Sequence, residues 1–346
     1  MGHKELLADT SFQEETKKTF QSHNVIYIST SGEFADLYIS DQAAVATAIR
    51  LERTKISVYI ENALEHNSSE DLGRALSKQV KLNKELKYLM LLTDGGEVNG
   101  TGILNGIENY IPSDILITGG MAGDMYEFQS TLTGYNDQLG KGNCILIAFY
   151  NKDLKVTHGS FGGWQNFGPL KTVTKSSGNV LRRIDDLNAL DLYKKYLGPY
   201  ANELPGSALL FPLSVQLEDG NQVVRTILSI DEETGSMTFA GDIPEGAQVR
   251  FMRANIDRLV EASSKAASLA YRDGQFKPEW AFCVSCVGRK LVLKHRVEEE
   301  IDALKRILPK DCPTSGFYSY GELSPIRKGT PCVLQNQTMT ITLFAE

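Results

Sequence analysis

Apolar residues along this chain switch between a period of two and a period of three to four, and the switches mark its elements. Val25 to Ser29 (VIYIS) is a short alternating stretch, and KISVYI, from Lys55, is a second; both predict strands. Ser69 to Leu86 opens with a capping-type Ser followed by acids. It then carries Leu72, Leu76 and Val80 at helical spacing, which predicts a helix. Lys87 to Leu92 (KYLMLL) is a nearly continuous apolar strand, Val98 to Tyr110 a helix stopped by Pro112, and Ile115 to Thr118 a strand followed by the turn GGMAGD. Cys144 to Tyr150 is the next strand. The N-terminal stretch Ser11 to Phe20 reads as a polar helix or arm.

The same order returns near the other end. Asp257 to Tyr271 predicts a helix, Trp280 to Val287 a strand, and Val297 to Leu308 a helix stopped by Pro309. A Tyr-rich Gly loop follows, and Thr338 to Phe344 closes the chain with the alternation of a half-buried strand. This recurrence predicts a diverged duplication. The fold class is then α/β (α+β), with two related halves whose mixed sheets pack on each other and whose helices lie outside. Between the halves, residues 155–186 read as hairpin strands, Ala189 to Tyr196 as a short helix, and 208–215, 223–230 and 236–240 as three more strands. The expected division is an arm at 1–22, one domain at 23–220 and a second at 221–346.

Composition narrows the function classes. With 36 Lys plus Arg against 43 Asp plus Glu, the 346-residue chain has a net charge of −7. Such a surface repels phosphate backbones, so nucleic acid is not an expected partner. No window reaches the ~18 apolar residues of a membrane span, and no signal-peptide core is present, so a cytoplasmic protein is expected. An odd number of cysteines, five, points to reduced thiols. Cys283 and Cys286 have CxxC spacing. On a strand, though, residues three apart face opposite ways, so they read as buried structural thiols.

Candidate chemistry concentrates at Gly turns. Ile28 to Phe34 (ISTSGEF) and Phe317 to Leu323 (FYSYGEL) align without a gap, sharing hydroxyl, Gly, Glu and an apolar residue. ILITGGMAGD, from Ile115 to Asp124, has a similar strand, Gly turn and acid. The acids Glu33, Asp124 and Glu322 and the glycines Gly32, Gly119, Gly120 and Gly321 therefore form a candidate site at strand ends, where α/β sheets place binding loops. The acids would bind an amino group or hydroxyls of a small ligand. The competing role is that each accepts backbone N–H groups and closes its own turn. Tyr318 and Tyr320, expected on one face, add aromatic walls, and Trp164, among Gly162, Gly163 and Gly168, adds another. Gly95-Gly96 lacks the Lys of a phosphate-binding loop, and Ser31 lacks the first Gly of a nucleophile elbow. No cofactor, metal ligand set or catalytic residue is expected from these motifs.

Taken together, GGMAGD (119–124), the Gly-Trp stretch 163–168 with Val173-Thr174 and Gly178-Asn179, the loop 243–246, and GFYSYGELSP with NQTMTI (336–341) resemble the FIST family, a bacterial sensory domain with N- and C-terminal parts. The resemblance implies an intracellular sensor of a small ligand such as an amino acid. It also implies signalling to a partner such as a histidine kinase or diguanylate cyclase, because no output domain follows in the sequence. One branch of the family is similar to haem proteins that sense nitric oxide. For that alternative His158, ahead of the Gly-rich Trp loop, is the axial-ligand candidate. A cryptic enzyme is a further alternative.

Overall fold

The computed structural model describes residues 1–21, 23–204, 206–217, 220–272 and 276–346. Residue 22, the expected end of the arm, lies outside them. Two six-stranded sheets form its centre. In the first, strands Leu86–Thr93 and Leu116–Met121 run parallel, joined by the helix Gly100–Glu108. Asn143–Tyr150 pairs antiparallel with Leu86–Thr93, and Lys55–Asn62 forms the edge beyond it. In the second sheet, Trp280–Cys286 and Thr314–Ser319 are the parallel pair, Met339–Ala345 is the antiparallel neighbour, and Lys155–Phe161 is the edge. The two strand orders superimpose position for position, as a duplication requires.

Each sheet is completed by a hairpin from the other half of the chain. The hairpin Glu33–Ala35 with Tyr38–Ser40 extends the second sheet beyond Thr314–Ser319. Gly321–Pro325 with Cys332–Gln335 extends the first sheet beyond Leu116–Met121. The exchange interlocks the halves. The predicted Tyr-rich loop is therefore two strands, and the chain crosses between sheets at Tyr320.

The sheets stack face to face around Tyr88, Met90, Phe149, Phe282, Phe317 and Phe344. Helices cover the outer faces. Ser69–Gln79 and Gly100–Glu108 bury Leu72, Leu76, Ile103 and Ile107 against the first sheet. Ile256–Arg272 and Val297–Lys305 bury Ala266, Ala270, Ile301 and Leu304 against the second. Ser68, not Ser69, caps the first of these helices, accepting from the Asp71 amide. The closing strand differs from expectation, since all seven of its residues are buried. It has a sheet neighbour on each side and layers above and below, so its threonines face protein: Thr342 Oγ1 bonds Thr118 Oγ1 across the sheets at 2.8 Å, and Thr118 bonds Tyr88 Oη at 2.6 Å.

Gly119 and Gly120 are also placed differently. They are strand residues rather than turn residues. A Cβ on Gly119 would lie 1.8 Å from the Leu91 carbonyl oxygen, and one on Gly120 would lie 2.7 Å from Val284 Cγ1 and 3.1 Å from the Phe317 ring. Gly119 is small because the backbone of the paired strand in its own sheet presses on it, Gly120 because the opposite sheet does, and the turn begins at Ala122.

Residues after Phe161 build a third sheet around Gln165–Ser177, with its own core of Leu181, Tyr193, Val215, Phe239 and Phe251 and the helix Ala189–Leu197. It is an insertion into the second half, between the edge strand Lys155–Phe161 and the helix Ile256–Arg272. Position 220 falls inside this sheet, in the connection between the paired strands Leu213–Gln216 and Gln222–Arg225. Among the described residues no helix is long and apolar enough to cross a membrane.

Candidate ligand site

The register of the parallel pairs aligns three turns. Thr93 stands opposite Met121 in the first sheet, and Cys286 opposite Ser319 in the second. Met121-Ala122-Gly123-Asp124 is thereby equivalent to Ser319-Tyr320-Gly321-Glu322, and the latter matches Thr30-Ser31-Gly32-Glu33 in sequence. The turns knit together in space. Ser31 N donates to Tyr318 O (2.8 Å), Tyr318 N to Gly32 O (2.8 Å), Gly123 N to Ser29 O (2.9 Å) and Tyr320 N to Met121 O (3.4 Å).

The acids of these turns do not line a cleft. Glu322 has no exposed surface. Its Oε1 accepts from Ser319 Oγ (2.7 Å), and its Oε2 accepts from Thr338 N (3.1 Å) and Oγ1 (2.9 Å). Burial, only partly offset by these donors, pushes its pKa up to about 8. Glu33 is equally buried and accepts from Thr30 Oγ1 (2.7 Å) and Ala43 N (3.1 Å), and burial raises its pKa as well. Asp124 accepts from the amides of Phe128, Gln129 and Ser130 at 2.8–2.9 Å and from Tyr320 Oη. The roles expected for Glu33, Asp124 and Glu322 are thus corrected from ligand contacts to turn locks. Asp124, a short acid, takes backbone amides of its own loop, whereas Glu33 and Glu322 are each satisfied by neighbouring hydroxyls and one amide. Asp94, which sequence reasoning passed over, does the same for Gly96, Glu97 and Gly142.

The aromatic candidates resolve similarly. Tyr318 and Tyr320 do not share a face: Tyr318 is fully buried and packs on Phe34 (5.8 Å), whereas Tyr320, past the crossing, stacks on half-exposed Phe128 (4.5 Å). Gly321 is a strand residue packed on Leu334 and Met121. Trp164 donates Nε1 to Gln337 O (3.0 Å) and packs with Met252, Leu259 and Val292. Gly163 beside it leaves no ligand space, since its φ is +81° and a Cβ would lie 2.4 Å from Arg258 O.

The open space is one step behind the first turn. A cleft of about 620 Å³ lies between Ile39–Gln42, Tyr126 and the corner where the helix Val287–Leu293 meets Val297–Lys305. Its innermost charge is Lys290, only 8% exposed. Nζ donates to Ser31 O (2.7 Å) and to Asp41 Oδ1, and lies 5.2 Å from the Tyr318 ring centroid. Gly32 is required here, with φ +120° and Lys290 Nζ only 2.5 Å from where a Cβ would stand. Lys294 and Glu298 complete the polar lining. The structure thus attaches Gly32 to the cleft, while Lys290 and Asp41 were missed. The available signal was the pair Arg289-Lys290 inside the apolar stretch CVGRKLVL.

Arg289, next to Lys290, is wholly buried. Nε and Nη2 donate to Glu300 Oε2 at 3.0 and 2.6 Å, Nη1 to Gly162 O at 2.7 Å and Nη2 to Leu259 O at 2.7 Å. It ties the helix beneath the cleft to Gly162, in the connection that leads into the third sheet.

A second cleft, of about 560 Å³, opens where the edge strand Lys155–Phe161 faces the other sheet. His158 lines it with Ile115, Ile117 and Val156, and Lys87, Lys328, Glu108 and Asp114 supply the charged part of the lining. All five cysteines are buried and unpaired, and among the described residues no three His, Cys, Asp or Glu side chains gather as a metal site.

A search among curated proteins found no match. Residues 3–187 match the FIST N domain and residues 189–325 the FIST C domain, which together span nearly the whole chain. The chain belongs to the FIST family, whose domains are sensory domains of signal transduction.

Proposed function

We propose that this protein senses a small metabolite, an amino acid or a similar compound, in the cleft behind the first Gly–acid turn, and passes its occupancy to a signalling partner such as a histidine kinase or diguanylate cyclase. The observation that carries this is Lys290: a largely buried ammonium, facing a cleft of about 620 Å³ and bonded to the backbone of a turn that links both sheets. A polar group fixed by its scaffold at the back of a concave site is how small-molecule pockets orient ligands. The neighbouring Arg289 gives the cleft a rigid connection to the third sheet.

Thermal unfolding in the presence of free amino acids and small metabolites tests the reading. A ligand at a hundredfold excess over its Kd stabilises the native state by about 2.7 kcal/mol. The expected result is a raised midpoint with one compound class, lost in Lys290→Gln. No shift with any of them removes the cleft from consideration.

A second reading rests on His158. The lining supplies an imidazole beside Ile115, Ile117 and Val156 and two cations, Lys87 and Lys328, for propionates, together with the acids Glu108 and Asp114. Bound there, haem would supply an iron able to take a diatomic gas such as nitric oxide. His158 would hold it, and the apolar wall would exclude water. Adding haem in the same titration separates the readings, since this one requires a Soret band that His158→Ala abolishes.

A further inference from the structure

We propose that the cleft takes a ligand bearing a free carboxylate, and that Asp41 is a built-in stand-in for that carboxylate, which leaves Lys290 when the ligand binds. The inference rests on the sensory reading above and adds the ligand class and the moving part.

Lys290 is held on several sides, and Asp41 is half-exposed. The ammonium is fixed by the Ser31 carbonyl, by the Tyr318 ring beneath it and by the Gly32 backbone, whose missing Cβ makes its room. Of its three N–H groups, one is spent on Ser31, and the Asp41 carboxylate takes another from the cleft side. The Asp41 side chain is 49% exposed against 10% for Lys290, and among the described residues Lys290 is its sole ion-pair partner. Swinging Asp41 into water therefore costs an ion pair of the exposed kind, while Lys290 left without an anion would be a nearly buried, uncompensated charge. A ligand carboxylate repairs that loss. Lys294, which makes no ion pair among the described residues, lines the same space as a second cation. Glu298 beside it offers a partner for an ammonium. An α-amino acid, with both charges, matches this lining better than a simple anion does.

Asp41 begins the stretch that would report its release. Beyond Ala44, residues 45–50 have no regular secondary structure, and Ala46 and residues 48–50 are exposed. The stretch is held by Ala43 N on Glu33 and His3 N on Ala43 O, then by Val45 paired with Met1 in both directions and by Thr47 Oγ1 on Ser315 Oγ, and at its end by the Glu346 carboxylate on the amides of 52–54. Losing the Asp41–Lys290 bond removes the contact that precedes these anchors, and Thr47 on Ser315 is the last of them before the exposed tryptic site at Arg50.

The deciding experiment is titration calorimetry of wild type and Asp41→Asn with free L-amino acids and with their carboxamides, plus trypsin cleavage at Arg50. Removing the competitor is expected to tighten amino-acid binding about fivefold, with no binding of the carboxamides. Saturating ligand is expected to speed cleavage at Arg50 in wild type. Binding seen in Asp41→Asn alone supports the inference most directly. Equal or weaker binding by Asp41→Asn, or equal binding of the carboxamides, overturns the stand-in role and leaves the cleft reading intact. No binding by either protein overturns the cleft reading and this inference with it. Asp41 is half-exposed at the cleft rim, so its variant tests the idea even if Lys290→Gln fails to fold.

Discussion

Glu322 shows what a single buried acid does to the energetics of this fold. Its folded pKa of about 8 stands above the ordinary 4.5, so between those values the unfolded chain has released a proton that the native state keeps. The unfolded state then binds fewer protons, and stability falls as pH rises through the window. The contribution is fully present below about 4.5 and gone above about 8. At 1.36 kcal/mol per unit, the difference across the window is roughly 3–5 kcal/mol. Glu322→Gln keeps a carbonyl oxygen for Thr338 and removes the titration. Its unfolding free energy, measured by denaturant at a series of pH values, is expected to decline less steeply from 4.5 to 8 than that of wild type. Parallel slopes for the two proteins would show that Glu322 is ionised in the native state. The same burial makes this acid a poor ligand contact and a good lock for the Ser319–Glu322 turn.

At the scale of elements, the pairing of sheets depends on residues that have no side chain. Gly120 sits where Val284 and Phe317 of the opposite sheet come closest, so Gly120→Ala drives a methyl into that contact. Overpacking of this kind costs about 1–3 kcal/mol. Because the nearest atom is a methyl of Val284, Gly120→Ala with Val284→Ala is expected to lose less than the sum of the single changes, a coupling that a double-mutant cycle in urea would measure. Additive losses would place the strain elsewhere. This is also where the sequence could be read only in part. Helical spacing at Leu72 and Leu76, and the apolar run KYLMLL, located their elements because periodicity is a local property, although the helix expected to reach Leu86 ends at Gln79 and Leu86 opens the next strand. The matching of ISTSGEF with FYSYGEL was legible too, and both segments prove to be Gly–acid turns. Whether a Gly serves a turn or a contact is decided by a partner far away in sequence, so Gly119 and Gly120 read as a turn. The exchange of hairpins was hidden for the same reason, and with it the face of Tyr318. Lys290 escaped notice because its significance lies in Ser31 and Asp41, some 250 positions away.

For the molecule as a whole, Arg289 is the bonded link between the helix beneath the cleft and the segment that enters the third sheet. It joins Val287–Leu293, the helix carrying Lys290, to Glu300 on Val297–Lys305, to Leu259 and Ser263 on Ile256–Arg272, and to Gly162 at the entrance of the third sheet. Glu300 is just as buried and also accepts from Ser285 on the central strand. Removing one member of such a pair strands the other charge in a low-dielectric interior, at a cost of about 3–5 kcal/mol, whereas replacing both with apolar residues of similar volume is often close to neutral. Arg289→Met is therefore expected to be severely destabilised and Arg289→Met with Glu300→Leu to recover most of the loss, as read by thermal unfolding. The recovered protein is the informative one. It keeps Lys290 and the cleft but lacks the bond to Gly162, so it should bind the cleft ligand while hydrogen exchange at 162–164 no longer responds to binding. If exchange there responds as in wild type, the signal travels through the Gly–acid turns instead, by way of Ser31 and Tyr318.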